Sequence, residues 1–401
     1  MSWKVHRADL KGSVQAGLLG LSIFTSTSLM NPDVSLADRP LNAPSAAGTR
    51  VNSDPDSLLR LGLPIKSKEI REIQNSIESC KMNLRTRRVN FAINDLNNAK
   101  SKISSYNSKL MSAFPKSKQE EGKAALEQLV ADMDPLVTSM QAEESSGSGS
   151  VQERSALDSA FAKQNIVAQD LSKVEELMVP EGYQRKVPSE YKGLPVLDGR
   201  ATVAMTLTRP SGEPFNVDGV NYKKLDFTMV IDGYNAPLTG GNFVDLVKKG
   251  FYDKKIINRA DGFVVQTGDA DPEGTVHGYV PSGATEERII PLEIAIKGDD
   301  ELLYGSTTED DMRGSAAAVL PFQSTGALGM ARSEFEADSA STQFFWLLFE
   351  SDLTPAGKNM LDGRYSCFGY TIEGQDLFKA VKEGDLIQSA KVIKGGDIYT
   401  L

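Results

Sequence analysis

Apolar residues recur through the first half of the chain at helical spacing. Ile70, Ile73, Ile77 and Leu84 make one stripe. Ala92, Leu96, Ala99, Ile103, Tyr106 and Leu110 make a second, stepping by fours and threes. Leu126, Leu129, Met133 and Val137 form a third, and Leu157, Phe161, Ala168, Leu171, Val174 and Met178 a fourth. Pro64, Pro115, the serine- and glycine-rich run 145–150 and Pro180 separate them. The pattern predicts an all-α, four-helix-type bundle over residues 57–182, antiparallel because its breakers are short. Pro135 falls inside the third stripe, where its missing N–H should kink or end the helix.

Residues 183–198, with Pro188 and Pro195, read as an extended linker, and from residue 199 the period changes to two. In 201–208 the odd positions are apolar and the even ones mostly threonine, the signature of a half-buried strand. A second strand fits 225–231, and 235–250 reads as a helix. Thr239 is the expected N-cap there, Phe243, Leu246 and Val247 the inward face, and Gly250 the stop. Short strands follow at 262–267, 326–331, 343–349, 365–370 and 390–394, with one more helix over 374–382. Strands with two helices and no βαβ alternation predict, over 199–401, an antiparallel β-barrel capped by helices. The fold class is therefore a two-domain chain.

The N-terminus adds a third kind of pattern. Lys4, Arg7 and Lys11 precede the apolar run 16–24, and the small residues Val34, Ser35, Leu36 and Ala37 follow. That order predicts a Sec-type export signal over 1–37, cleaved after about Ala37, then a spacer over 38–56. The apolar run is too short and too polar to span a bilayer, so no membrane span is expected in the mature form.

Charge narrows the chemistry. The net charge is −10, and residues 200–401 carry 19 Lys and Arg against 30 Asp and Glu. Nucleic acid, which needs clustered cations, is excluded as a partner. Two cysteines and two histidines leave no disulfide framework and no metal constellation, and the bundle has no inward Glu-x-x-His pair. The run 269–274 opens like a calcium loop, but its twelfth position is Val280 where glutamate is needed. No metal or cofactor is expected.

Chemistry concentrates in 256–269, where one cation, Arg259, and one neutral amide, Gln266, stand among Phe263, Val264 and Val265. Period two would put Phe263 and Val265 on one face and Val264 and Gln266 on the other. The set suits a neutral, peptide-like ligand and not a metal or phosphate. Taken alone, it is better read as a core strand with a surface ion pair.

Its neighbours reverse that reading. Ala-Pro-Leu-Thr-Gly-Gly-Asn-Phe (236–243), Gly-Phe-Val-Val-Gln-Thr-Gly-Asp (262–269), Leu-Gly-Met-Ala (328–331), Ser-Thr-Gln-Phe-Phe (341–345) and Leu-Asp-Gly-Arg-Tyr-Ser-Cys-Phe-Gly (361–369) follow in order. The series resembles the cyclophilin family of peptidyl-prolyl isomerases over residues 199–401. With an export signal and a helical bundle in front, the chain resembles the multidomain thylakoid-lumen cyclophilins of plants, algae and cyanobacteria. The resemblance implies proline-containing polypeptide clients, photosystem II subunits among them, and a lumenal location (chloroplast thylakoid, or cyanobacterial lumen or periplasm). It assigns Arg259, Phe263 and Gln266 to catalysis. It assigns Ala331, Arg332, Phe345, Met360, Leu361 and Tyr365 to substrate binding.

Departures from the family pattern are specific. Ile257 and Asn258 precede Arg259 where Phe-His is usual, and the step from Arg259 to Phe263 is one residue short. Val264 replaces a pocket methionine, Met360 a tryptophan and Tyr365 a histidine. The segment between Asp269 and Leu328 is long, carries the acidic clusters 299–301 and 309–311, and is expected to border the cleft. Two readings follow: a lumenal prolyl isomerase built on Arg259, or a weakly active or inactive scaffold acting as a chaperone or regulatory binding module through the helical bundle and acidic insertion.

Overall fold

The computed structural model describes residues 52–146, 149–273, 276–314, 316–348 and 359–400. The export signal expected over 1–37, and the spacer up to residue 51, lie outside them. The helical half holds α1 (Pro55–Leu61), α2 (Lys68–Arg85), α3 (Val89–Ser105), α4 (Asn107–Ala113), α5 (Gln119–Glu144) and α6 (Val151–Leu177). Its core is the one the stripes specify: Ile70, Ile73, Leu96, Ala99, Leu129, Met133, Leu171 and Val174 have no exposed surface. Side-chain caps start three of these helices, with Asp54 accepting from the Ser57 N–H, Ser67 from Ile70 and Ser150 from Glu153.

Two helical expectations are corrected. The second stripe is not one helix: it breaks at Tyr106 into α3 and α4, and the Tyr106 hydroxyl donates to Glu72 on α2. Pro135 does not end α5, which runs on to Glu144. An interior proline costs about 3 kcal/mol. On either side of it Leu129, Met133, Leu136 and Met140 are fully buried. Each such side chain contributes roughly 1.5–3 kcal/mol, so packing outweighs the lost rung.

The second half is built on β1 (Pro195–Thr208), β2 (Phe215–Val217), β3 (Val220–Tyr222), β4 (Leu225–Asp232), α7 (Pro237–Lys248), β5 (Ile257–Ala260) and β6 (Val264–Thr267). There follow β7 (Glu293–Ile294), β8 (Leu303–Tyr304), β9 (Ala327–Met330), β10 (Phe344–Leu347), β11 (Cys367–Glu373) and β12 (Leu386–Thr400). Eight strands form one antiparallel sheet in the order β12-β1-β4-β11-β9-β10-β6-β5. The sheet curls until its two edges meet. Ile256, just before β5, bridges Leu386 of β12, and backbone bonds link Lys254 and Lys255 to Ile387 and Ile257 to Asp385.

Alternation along each strand sorts residues between two apolar layers. From Ala201 to Leu207 every odd residue of β1 points into the barrel. In β10, Phe344 and Trp346 face the interior with Phe227, Phe243, Phe368 and Phe378. Phe345 and Leu347 face outward, into a second layer. The helix expected over 374–382 is a 3₁₀ turn, Gln375–Ala380, which lays Phe378 flat on Phe227 (centroids 4.5 Å apart). Asp218 and Gly219 take positive φ (50° and 85°) in a two-residue hairpin joining β2 and β3.

The N-cap of α7 is not Thr239. Pro237 opens the helix, and the orphan N–H groups of Leu238 and Thr239 donate to the carboxylate of Glu293, at 3.1 and 2.8 Å. Glu293 lies on β7, inside the long segment after Asp269, and also accepts from the Tyr304 hydroxyl on β8 at 2.9 Å. A side chain more than fifty residues away thus satisfies the helix start, and burial raises its carboxyl against the pull of the Thr239 and Leu238 N–H groups and the Tyr304 hydroxyl.

Helix α1 joins the halves, and residues 50–401 make one compact unit. Leu58 and Leu59 insert into the outer apolar layer of the sheet. Its last turn offers carbonyls to both sides. Leu59 O accepts from Arg200 (2.6 Å), Gly62 O from Asn235 (2.7 Å) and Arg60 O from Arg71 of α2 (2.8 Å). The Arg60 guanidinium, 2% exposed, donates back to Ser172 of α6 and to Glu78 of α2. Glu175, fully buried on α6, accepts from Arg71 at 3.1 Å. Burial pushes its carboxyl up to about 8, against the pull of Arg71, Arg60 and Arg200 and with Glu78 adding to the rise.

Two predictions follow from these carboxylates. Glu293→Ala removes the carboxyl acceptor from two buried N–H groups, and the denaturation midpoint should fall by an amount equivalent to about 2–3 kcal/mol. An unchanged midpoint would contradict the capping role. The Glu175 carboxyl binds its proton more tightly folded than unfolded, since its ordinary value is 4.5 and its folded value about 8. Stability from this group is therefore greatest at the acid end of that window and declines as pH rises through it. Denaturation of Glu175→Gln across the same pH range should show a flatter slope than the parent chain.

Candidate active site

Strand register aligns the central side chains. Arg259 on β5 pairs with Gln266 on β6, Gln266 pairs with Phe345 on β10, and Phe345 pairs with Gly329 on β9. Directly opposed residues on antiparallel strands share a face, so the cation, the amide and the phenyl ring form one row across the outside of the barrel. Gly329 completes it by absence: a Cβ there would fall 2.1 Å from the Phe345 ring. The Gln266 amide donates to Gln343 at 2.9 Å, which fixes its orientation along the row.

The turn between β5 and β6 is organised by Asp261. Its Oδ1 accepts from the N–H groups of Phe263 and Val264, both at 3.0 Å, and Gly262 takes φ +81°. Its Oδ2 accepts from Arg259 Nε at 2.5 Å and from Nη2. Burial alone would raise this carboxyl. The Val264 N–H, the Arg259 guanidinium and the Phe263 N–H outweigh it and hold Asp261 below its ordinary value. The turn also corrects the strand expected over 262–267. β6 begins at Val264, so Phe263 lies outside the pleat and packs into the outer layer with Val264, and not inward with Val265.

That layer brings Phe263, Val264, Phe345, Ala331, Leu361 and Tyr365 together, and Leu58 and Leu59 of α1 belong to it too. Phe345 lies between two rings, Phe322 stacked at 5.9 Å and Tyr365 edge-on at 5.7 Å. Arg332 closes the rim. Its guanidinium sits 5.1 Å from the Tyr365 centroid and donates to the carbonyls of Arg364, Ser333 and Glu334. Met360 does not join the layer; it is 56% exposed.

The wall carrying Leu361 and Tyr365 is braced by the long segment after Asp269. The Phe322 N–H donates to Asp362 (2.7 Å), the Thr308 N–H to Gly363 O (2.9 Å) and the Glu293 N–H to Ser366 Oγ (2.8 Å). Arg364 grips both oxygens of Glu309. Among the described residues no group of three His, Cys, Asp or Glu is placed to hold a metal ion. No described helix is long and apolar enough to cross a membrane.

Residues 219–400 match the cyclophilin-type peptidyl-prolyl cis-trans isomerase family, and residues 54–179 match the PsbQ-like domain of CYP38-like isomerases. The chloroplastic peptidyl-prolyl cis-trans isomerase CYP38 of Arabidopsis thaliana is 39% identical over 345 residues, 85% of this chain and 74% of that protein. A Synechocystis protein described as a thylakoid lumen peptidyl-prolyl cis-trans isomerase is 36% identical over 363 residues, 89% of this chain and 88% of its own length. The chain belongs to the CYP38-like cyclophilins.

Within this cyclophilin, three residues around the row carry no assigned role in the sequence. Gln343 holds Gln266, and its place two before Phe345 on the same strand face was a usable signal. Asp261 was hidden because its work depends on a turn, and Phe322 because nothing local to it points at Phe345.

The close approach at Gly329 is directly testable. Gly329→Ala must push the Phe345 ring off its seat. A displacement of about 1 Å in such a site costs on the order of 100-fold in rate. Cis–trans exchange of an X–Pro peptide, followed by NMR, should slow accordingly with circular dichroism unchanged; parent-like exchange would show that Phe345 is not part of the working pocket.

Proposed function

We propose that this cyclophilin isomerises X–Pro bonds of lumenal polypeptides, with Arg259 donating toward the prolyl nitrogen. Rotation about such a bond meets a barrier of roughly 18–20 kcal/mol because it breaks amide resonance. A guanidinium beside the nitrogen draws its lone pair out of conjugation and favours the pyramidal form. Phe263, Phe345 and Leu361 seat the pyrrolidine ring, Gln266 holds the neighbouring carbonyl, and Ala331 with the Arg332 main chain aligns the peptide. Catalysis then consists of binding the twisted state better than either planar one.

The reading rests on one observation above the others, the row Arg259–Gln266–Phe345 across three adjacent strands. The relatives' names extend it to a thylakoid lumen setting. Clients among photosystem II subunits belong to the same proposal by family resemblance alone.

A second reading has its own support. Phe345 is only 5% exposed and Arg332 lies over Tyr365, so a proline ring reaches the floor only after the rim moves. On that reading the domain is a weakly active scaffold that holds clients through its bundle and acidic insertion. One variant separates the two. Arg259→Ala should lower kcat/KM for an Ala-Pro peptide by about 100-fold or more, as loss of one preorganised donor does elsewhere. Equal rates in the parent and the variant, with unfolded-client binding retained in both, would favour the scaffold.

A further inference from the structure

We propose that Asp261 is a positioning residue of the isomerase reaction, holding the Arg259 guanidinium in register with Phe263; this rests on the role given to Arg259 above. One carboxylate serves both. Oδ1 ties the Phe263 and Val264 N–H groups at 3.0 Å each, and Oδ2 takes Arg259 Nε at 2.5 Å and Nη2 as well. An arginine has five N–H donors. Two are engaged by Asp261, and Arg259 has no other hydrogen-bond or ion-pair partner among the described residues, which leaves three donors for a ligand. The pair spans the shortened step between β5 and β6, where the backbone alone would leave a long side chain to find its own direction.

Magnitudes separate this role from a stabilising one. Both side chains are partly exposed, 31% for Arg259 and 41% for Asp261. Pairs as exposed as this contribute little to stability. Losing the charge of Asp261 therefore leaves the fold intact. Misplacing the guanidinium by about 1 Å, in contrast, costs on the order of 100-fold in rate. The carboxyl is also held below its ordinary value, so it stays charged, and holds Arg259, throughout the neutral and mildly acid range.

Asp261→Asn tests the point because it keeps an oxygen for the Phe263 and Val264 N–H groups and turns an amide donor toward Arg259. Its kcat on an Ala-Pro peptide should fall at least about 10-fold, with KM within a factor of two or so, since one interaction is lost only at the rotated state. Asp261→Ala, which also releases the turn carrying Phe263, should raise KM as well. Salt gives a readout that a structural role does not move. Between about 0.1 and 1 M the screening length falls from roughly 10 to 3 Å, so the parent's kcat should decline with salt and the Asn variant's should not. Arg259→Ala is measured alongside. If it is inactive while Asp261→Asn matches the parent, or if Asp261→Asn changes KM alone, the positioning role is wrong. If Arg259→Ala itself matches the parent, the arginine mechanism fails, and the positioning role with it.

Discussion

The two halves of this protein are held in place through one buried carboxylate. Asp232 ends β4 with no exposed side-chain surface. Its Oδ2 accepts from Arg200 Nε and Nη2, and its Oδ1 from the main-chain and side-chain amides of Asn235. Arg200 and Asn235 each then donate onward to a carbonyl at the end of α1. Desolvating such ions costs several kcal/mol each, and their mutual attraction does little more than offset it. What the arrangement yields is direction. Helix α1 is seven residues long, too short to hold together alone; the Gly62 and Leu63 N–H groups close its last carbonyls, and Arg200 and Asn235 add further donors at Leu59 O and Gly62 O. Asp232 supplies them at second hand.

The same logic runs through the long segment after Asp269. Expected to border the cleft, the segment packs Phe322 against Phe345; Glu309 of one acidic cluster is bound by Arg364, and Glu293, outside both clusters, is buried beneath the start of α7. The segment works as a brace between the helix that opens the barrel and the wall that carries Leu361 and Tyr365. Family substitutions at the pocket become intelligible in that light. Tyr365 presents an edge to Phe345 and a face to Arg332 at once, so a flat aromatic ring does there what packing requires.

Much of this was legible in the sequence, for reasons that lie in particular residues. The helical stripes from Ile70 to Met178 were readable because a bundle core is specified by spacing alone. The alternation of Ala201, Val203, Met205 and Leu207 was equally direct, as one face of β1 is buried. Failures came wherever a distant group replaced a local one. Thr239 looked like an N-cap because sequence shows only nearby oxygens, whereas Glu293 takes the N–H groups from 54 and 55 positions away. Phe263 was given the parity of a strand it does not belong to, since the Asp261 turn shifts the strand's beginning. Helix α1 left no periodic trace in so few residues. The hairpin at Asp218-Gly219 is a different case: its turn chemistry was in plain view and went unread.

The candidate site is legible in the sequence as a set of residues and not as an arrangement. Arg259, Gln266 and Phe345 could be picked out by motif order, but their alignment depends on two strand registers that no local pattern encodes. Once aligned, they leave little freedom. Phe345 is pinned from below by Gly329 and from the sides by Phe322 and Tyr365, and Gln266 is pinned by Gln343. Arg259 is the one long side chain in the row whose hold is exposed to water. A floor fixed on three sides cannot adapt to different residues before proline, so any adaptation must come from the rim, at Arg332, and from the ion pair at Asp261. On the proposed mechanism, rate follows Arg259 as Asp261 directs it, while adaptation to the peptide falls to the rim at Arg332 and to that same ion pair.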